Sequence, residues 1–182
     1  MRPCTWELPT RTQGLEAHIM PPMSFLRFLM LLALVVWIGG IIFLAFVEAP
    51  IAFTPGLLPT RHVAGSVVGH SLDRLHYMGI VSGIVFLFAS ALYHRMTSGR
   101  ANAVSLRHIL MVLMLCLTLI SQFAISPKMH ALRAQAGVID YLALDHPIRR
   151  EFDRLHVWSE KLEEAVLLLG LFALWRTAQE LR

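Results

Sequence analysis

The run from Phe28 to Val47 contains no charged residue, and among its apolar side chains only Gly39 and Gly40 intervene. As a helix, an uncharged stretch of this kind crosses a hydrocarbon layer of about 30 Å. In lipid the backbone has no water to bond, so a spanning segment must satisfy its own amides. A secretory leader has a shorter apolar core of about 7–15 residues, followed by a small-residue cleavage site. This run instead ends in Glu48-Ala49-Pro50, so it reads as a membrane span.

Three further apolar runs follow, and together they predict spans at about 26–47, 75–94, 104–125 and 157–177. The expected fold class is all-α, a four-helix transmembrane bundle. Residues 23–182 form the membrane domain, and the polar, proline-broken residues 1–22 are expected to be a disordered tail, with Met23 a natural beginning. The fourth helix is expected to begin outside the membrane near Pro147, a residue suited to a first helical turn after Asp145. Pro59 suggests a similar start for the second helix.

Composition supports lipid as the solvent. Of 182 residues 56% are hydrophobic and 15% charged, against roughly 25% charged in a soluble domain. Four spans of about 20 residues consume most of the chain, which leaves no separate catalytic domain. The net charge of +4 lacks the basic block with interleaved aromatics of a nucleic-acid binder; the lipid bilayer is the expected partner, beside a membrane protein partner or a homo-oligomer. The expected location is an integral, multi-pass position in the plasma (inner) membrane if the source is prokaryotic. Cys4 and Cys116 form no Cys-x-x-Cys signature. Lys and Arg divide eight to eight between the two faces of a four-span protein. The short second loop, with Arg95, Arg100, Arg107 and no acid, tips both termini toward the cytoplasm.

A short motif also recurs along the chain. Asp73-Arg74-Leu75-His76 recurs as Asp153-Arg154-Leu155-His156, each opening an apolar helix, while Pro50 and Pro127 end the preceding runs. Two copies of one helical hairpin, entering the membrane in the same sense, form a parallel repeat. That places His76 and His156 at equal depth. Gly79 and Gly83 share the His76 face and permit close helix approach, and their counterparts are Ser159 and Glu163.

These residues define a candidate polar seam: His76, Gln122, His156, Ser159 and Glu163. An unpaired carboxylate at bilayer depth costs about 2.5–3.5 kcal/mol, so Glu163 must be paired, protonated or in contact with water. Glu160 and Glu164 read as headgroup residues of the same helix. A candidate metal set is His76, His156 and His130, since imidazole ligates copper, zinc and haem iron and Met78 and Met129 lie beside two of the three. The simpler reading makes each histidine an interfacial residue bonded to a neighbour such as Asp73. Trp158, Trp175 and Tyr93, near helix ends, read as belt residues with Trp37 unremarkable beside them, and Met30, Met111 and Met114 as apolar filler.

Trp37-Ile-Gly-Gly40 with Val47-Glu-Ala-Pro50 resembles the first hairpin of the domain-of-unknown-function 4149 family, which is similar to eukaryotic transmembrane protein 205. Ala64-Gly-Ser-Val-Val-Gly69, Ile125-Ser-Pro-Lys-Met-His-Ala-Leu-Arg133 and Phe152-Asp-Arg-Leu-His156 with Ser159, Leu162 and Glu163 fit the same pattern. The resemblance runs from about Phe25 to Trp175, and its last segment is the most specific. Trp-x-Gly-Gly alone also resembles copper-resistance membrane proteins. The family implies four spans and no agreed activity.

Three functions stay open: a polar seam that binds or passes a small solute, proton or cation; a haem- or copper-binding module; and an accessory subunit of a membrane complex. No nucleophile elbow, phosphate loop or zinc-protease motif occurs, and a non-enzymatic role is expected.

Overall fold

The computed structural model describes residues 22–98 and 106–180; the expected N-terminal tail lies outside the described residues. What is described is helical, with no strand among those residues. The first rod runs through α1 (Pro22–Phe43), a π-turn (Leu44–Glu48) and α2 (Ala49–Ala52). The second is α3 (Arg61–Ser98). The third is α4 (Leu106–Ile120), a second π-turn (Ser121–Ile125) and α5 (Ser126–Ala136). A 3₁₀ turn at Ile139–Tyr141 leads into the fourth rod, α6 (Pro147–Glu180).

Local chemistry sets these boundaries. Val63 N–H donates to Thr60 Oγ1 at 3.2 Å, so Thr60 caps α3 and Pro59 stands just before the cap. Pro147 opens α6 as the sequence predicts, and Ile148 N–H donates to His146 Nδ1 at 3.3 Å. Gly137 ends α5 with φ +67°, which a side chain rarely tolerates, and returns its N–H to Arg133 O.

The prolines correct one expectation. Pro50 and Pro127 do not end their helices; each is the second residue of a helix that continues the rod. Proline lacks an N–H, and its ring collides with the carbonyl four residues earlier. Both rods answer with a widened turn just upstream, in which Ala49 N–H reaches Leu44 O and Ser126 N–H reaches Ser121 O, five residues back.

The rods close into a ring in chain order: α1 packs on α3, α3 on α4, α4 on α6 and α6 on α1. Met30, Leu34, Trp37, Phe86, Met111 and Met114 fill its centre. Trp37 is thus a core residue, and so is Tyr93, contrary to its expected place in the belt. Trp37 lies against Gly79, and Leu115 occupies the space a Gly83 Cβ would take, at 2.6 Å. These glycines are therefore sockets for single side chains rather than a backbone-to-backbone crossing. Tyr93 accepts from Arg27 Nη2 at 2.8 Å.

The outward faces are also apolar, with Phe46, Val81, Phe88, Phe123 and Leu168 all exposed. An exterior this apolar, continuous around a bundle, fits lipid and not water. Three helices, Met23–Ala52, Arg61–Thr97 and Leu106–Ala136, are long and apolar enough to cross a membrane. The protein is an integral membrane protein built as an all-α four-helix bundle. At 1.5 Å per residue, α3 with its 38 residues extends about 57 Å, well beyond a hydrocarbon core of about 30 Å. The excess, with α5 and the start of α6, forms a lobe at the end of the bundle that carries both loops, 53–60 and 137–146.

Candidate functional site: a buried imidazole–carboxylate pair beneath a polar cleft

In α6 the buried positions Leu155, Ser159, Val166, Gly170, Ala173 and Thr177 are three, four or seven residues apart, and so share one face. This is the seam of a helix facing its neighbours. Glu163 falls in that series, so packing of the apolar positions carries a carboxylate into the bundle. Across the ring, α3 turns His76 inward beside Leu75, and both are buried. On the third rod the π-turn itself presents Ser121 and Gln122 to the interior.

The three polar side chains meet. His76 Nε2 lies 2.6 Å from Glu163 Oε1, and His76 Nδ1 lies 2.8 Å from Gln122 Oε1. His76 is 1% exposed, whereas Glu163 keeps 16% and reaches the outside. The amide oxygen can only accept, so His76 Nδ1–H donates to it. One further proton then lies between Nε2 and Oε1. It sits on the ring, giving imidazolium and carboxylate, or on the acid, giving two neutral groups. Both arrangements are neutral as a pair, which removes most of the cost of placing Glu163 at this depth.

Glu163 opens onto a cleft of about 920 Å³ between the first rod and the lobe. Its charged wall includes Asp73, His130, Arg133, Asp153, His156 and Glu160. At its side His130 Nε2 meets Asp73 Oδ2 at 2.8 Å, while Asp73 Oδ1, buried, has no partner among the described residues. Ser159 is buried one turn from Glu163 and also borders the cleft.

Of the predicted seam, the fold joins His76, Gln122 and Glu163, and sets Ser159 beside them. His156 shares their helix face and stays outside the network. Its imidazole borders the open cleft, is 55% exposed and pairs with Glu160 at 3.2 Å. The three histidines of the candidate metal set therefore turn to three different carboxylates. Both ring nitrogens of His76 are already bonded to protein, so haem or copper ligation would require breaking that network. Among the described residues no three His, Cys, Asp or Glu side chains stand together as a metal set. Glu164 pairs on the surface with Lys161 at 2.8 Å.

One contributor, Arg133, has no role assigned from the sequence. Arg133 reaches from α5 across to α3, where Nη1 donates to Gly65 O at 2.8 Å. Its signal was the pair Gly65 and Gly69, whose missing side chains leave the guanidinium its berth. Ser121 and Thr118, fully buried, have hydroxyl oxygens without a partner among the described residues.

A family model described as a domain of unknown function (DUF4149) matches residues 32–138. The match takes in Asp73, His76, Gln122, His130 and Arg133. The segment from Phe152 to Glu163, which carried the most specific resemblance, lies past its end. No curated protein and no solved structure matches the chain. With more than half of its length matched by that model, the chain belongs to the DUF4149 family.

Proposed function

We propose that this is a non-enzymatic, multi-pass membrane protein that passes a proton, with or in exchange for a small solute, through the polar seam entered from the cleft. The observation that carries the reading is the His76–Glu163 pair. It is a 2.6 Å contact between two groups able to share one proton, with the imidazole sealed inside and the carboxylate open to the cleft. An ion pair kept only for stability gains little when buried, because desolvation offsets the attraction. Ionisable groups at such depth are usually functional.

The rest of the seam supports one-sided access. Ser121 and Thr118 extend the polar line inward from Gln122 along the same rod. Phe86, Met111 and Met114, all fully buried, then fill the interior. Near the opposite end Ser90 and Thr177 are buried, their hydroxyls again unpartnered among the described residues. Two polar ends separated by an apolar layer suit a carrier that changes conformation better than an open pore.

On this reading α6 is a fourth span. Its stretch from Ala165 to Trp175 is uncharged, and Leu168, Leu171, Phe172 and Trp175 face outward. The twin π-turns, each two residues ahead of a proline, support a duplicated hairpin as the origin of the bundle. Both termini are placed on the cytoplasmic side.

The test is proton entry into vesicles holding the purified protein and a pH-sensitive dye, driven by an imposed membrane potential. Wild type is expected to exceed protein-free vesicles, and Glu163→Gln, which keeps the hydrogen bond and removes the titrating group, to lower the rate at least tenfold. Equal rates in wild type and Glu163→Gln would overturn the proposal.

A further inference from the structure

The carboxylates of the cleft are largely neutralised, while two of its cations are not. Asp73 is paired with His130 at 2.8 Å, Glu163 with His76 at 2.6 Å, and Asp153 with Arg149 at 3.9 Å. Glu160 is paired with His156 at 3.2 Å and Glu164 with Lys161 at 2.8 Å. Arg61 and Arg133 also line the cleft, and neither has a carboxylate within 4 Å among the described residues. Asp140 is the remaining acid of the lining and stands beyond that distance from both.

The two arginines stand beside one small platform. Arg61 lies 6.0 Å over the Phe53 ring, and Arg133 lies 5.0 Å over Phe152. A Cβ on Gly65 would be 3.8 Å from the Phe53 ring and 3.0 Å from an Arg133 nitrogen. The Phe152 face and a backbone carbonyl hold the guanidinium of Arg133 in place. Of its five N–H donors, one is spent on Gly65 O. A half-buried guanidinium with donors to spare is a donor site for carboxylate or phosphate oxygens.

The opposite wall is of another kind. Ile41, Leu44, Phe46 and Leu167 line the cleft from the first rod and α6. Phe46 belongs to the first π-turn and is 71% exposed, so the apolar wall continues onto the lipid-facing surface. Resting on the proposed passage through this seam, we infer that the solute taken into the cleft is an amphiphilic anion. Its carboxylate or phosphate is bound by Arg133 and Arg61, and its apolar tail lies along Ile41, Leu44 and Phe46. A fatty acid entering from water and an anionic lipid entering from the bilayer share this chemistry.

The experiment uses the full chain in nanodiscs of phosphatidylcholine, with empty nanodiscs as the blank. Radiolabelled octanoate is titrated by equilibrium dialysis. In parallel, phosphatidylglycerol mixed into the nanodiscs is scored for retention by native mass spectrometry. Saturable octanoate binding near one per chain assigns a soluble anion, and selective retention of phosphatidylglycerol assigns the lipid. In either arm Arg133→Gln is expected to weaken binding at least tenfold and Arg61→Gln about fivefold. Arg61 is exposed and leaves the packing untouched, so its variant reports on the site even where Arg133→Gln unfolds. Failure of both ligands to bind above the blank, or binding unaltered by Arg61→Gln, overturns the inference. Proton entry distinguishes the two readings: arginine-dependent binding without proton flux removes the passage alone, and flux with arginine-independent binding removes the anion site alone.

Discussion

At the scale of single residues, one proton and one missing side chain define the centre of this molecule. His76→Ala leaves Gln122 and Glu163 without their shared partner, at a cost of about 1–3 kcal/mol for buried polar groups left unpaired. Glu163 borders the cleft and recovers water, so the loss should fall at the low end of that range, read as a modest drop in the denaturant midpoint in detergent. Gly79 is less forgiving. A Cβ there would meet the Trp37 ring, with Trp37 Cε2 at 2.6 Å. Trp37 is 1% exposed and has nowhere to move. Gly79→Ala is expected to cost about 1–3 kcal/mol as overpacking, more than His76→Ala, although no polar contact is touched. Equal stability of Gly79→Ala and wild type in the same unfolding experiment would show that the ring is loosely held.

At the scale of elements, the two π-turns explain how helices pass through proline, and the second also places polar groups inward. A π-turn holds one residue more than the α-helical turn it replaces, so removing one residue restores ordinary geometry. Phe123 is exposed and lies within the second π-turn. Its deletion is expected to leave helical content by circular dichroism unchanged and to rotate Gln122 away from His76. The predicted result is a shift in the His76 ring nitrogen resonances together with loss of proton entry. Unchanged resonances would mean that the turn does not position Gln122.

At the scale of the whole molecule, the exterior determines where each rod sits. Three rods are apolar enough to cross a membrane, while α6 carries charge over its first half and an apolar outer face over its second. Single cysteines in a Cys4→Ser, Cys116→Ser background test its placement. Leu168→Cys is expected to react with an apolar maleimide and resist a membrane-impermeant thiosulfonate, whereas Trp158→Cys reacts with both. Labelling of Leu168→Cys by the impermeant reagent would place α6 outside the lipid. The cleft is equally a property of the whole, because its wall is assembled from the first rod, α3, α5 and α6 and exists only where all four rods pack together.

The sequence by itself determined the solvent, the helical class and the rod count, because twenty uncharged residues in a row have few alternatives in lipid. It also marked His76, Gln122 and Glu163 as polar groups on apolar faces, through a periodicity that is local to each helix. Only the tertiary structure decided that these three meet, since hydrogen bonds between residues 46 and 87 positions apart depend on the ring order of the rods. It alone separated His156 from Glu163, because the imidazole turns to Glu160 at the open cleft. Helix spacing places both residues on one face. The prolines were visible and their effect was misjudged, since a helix end and a widened turn look alike in sequence until packing on both sides holds the rod together. Arg133, visible only as part of a motif, had no assigned role for a related reason: its berth is made of two absent side chains on another helix.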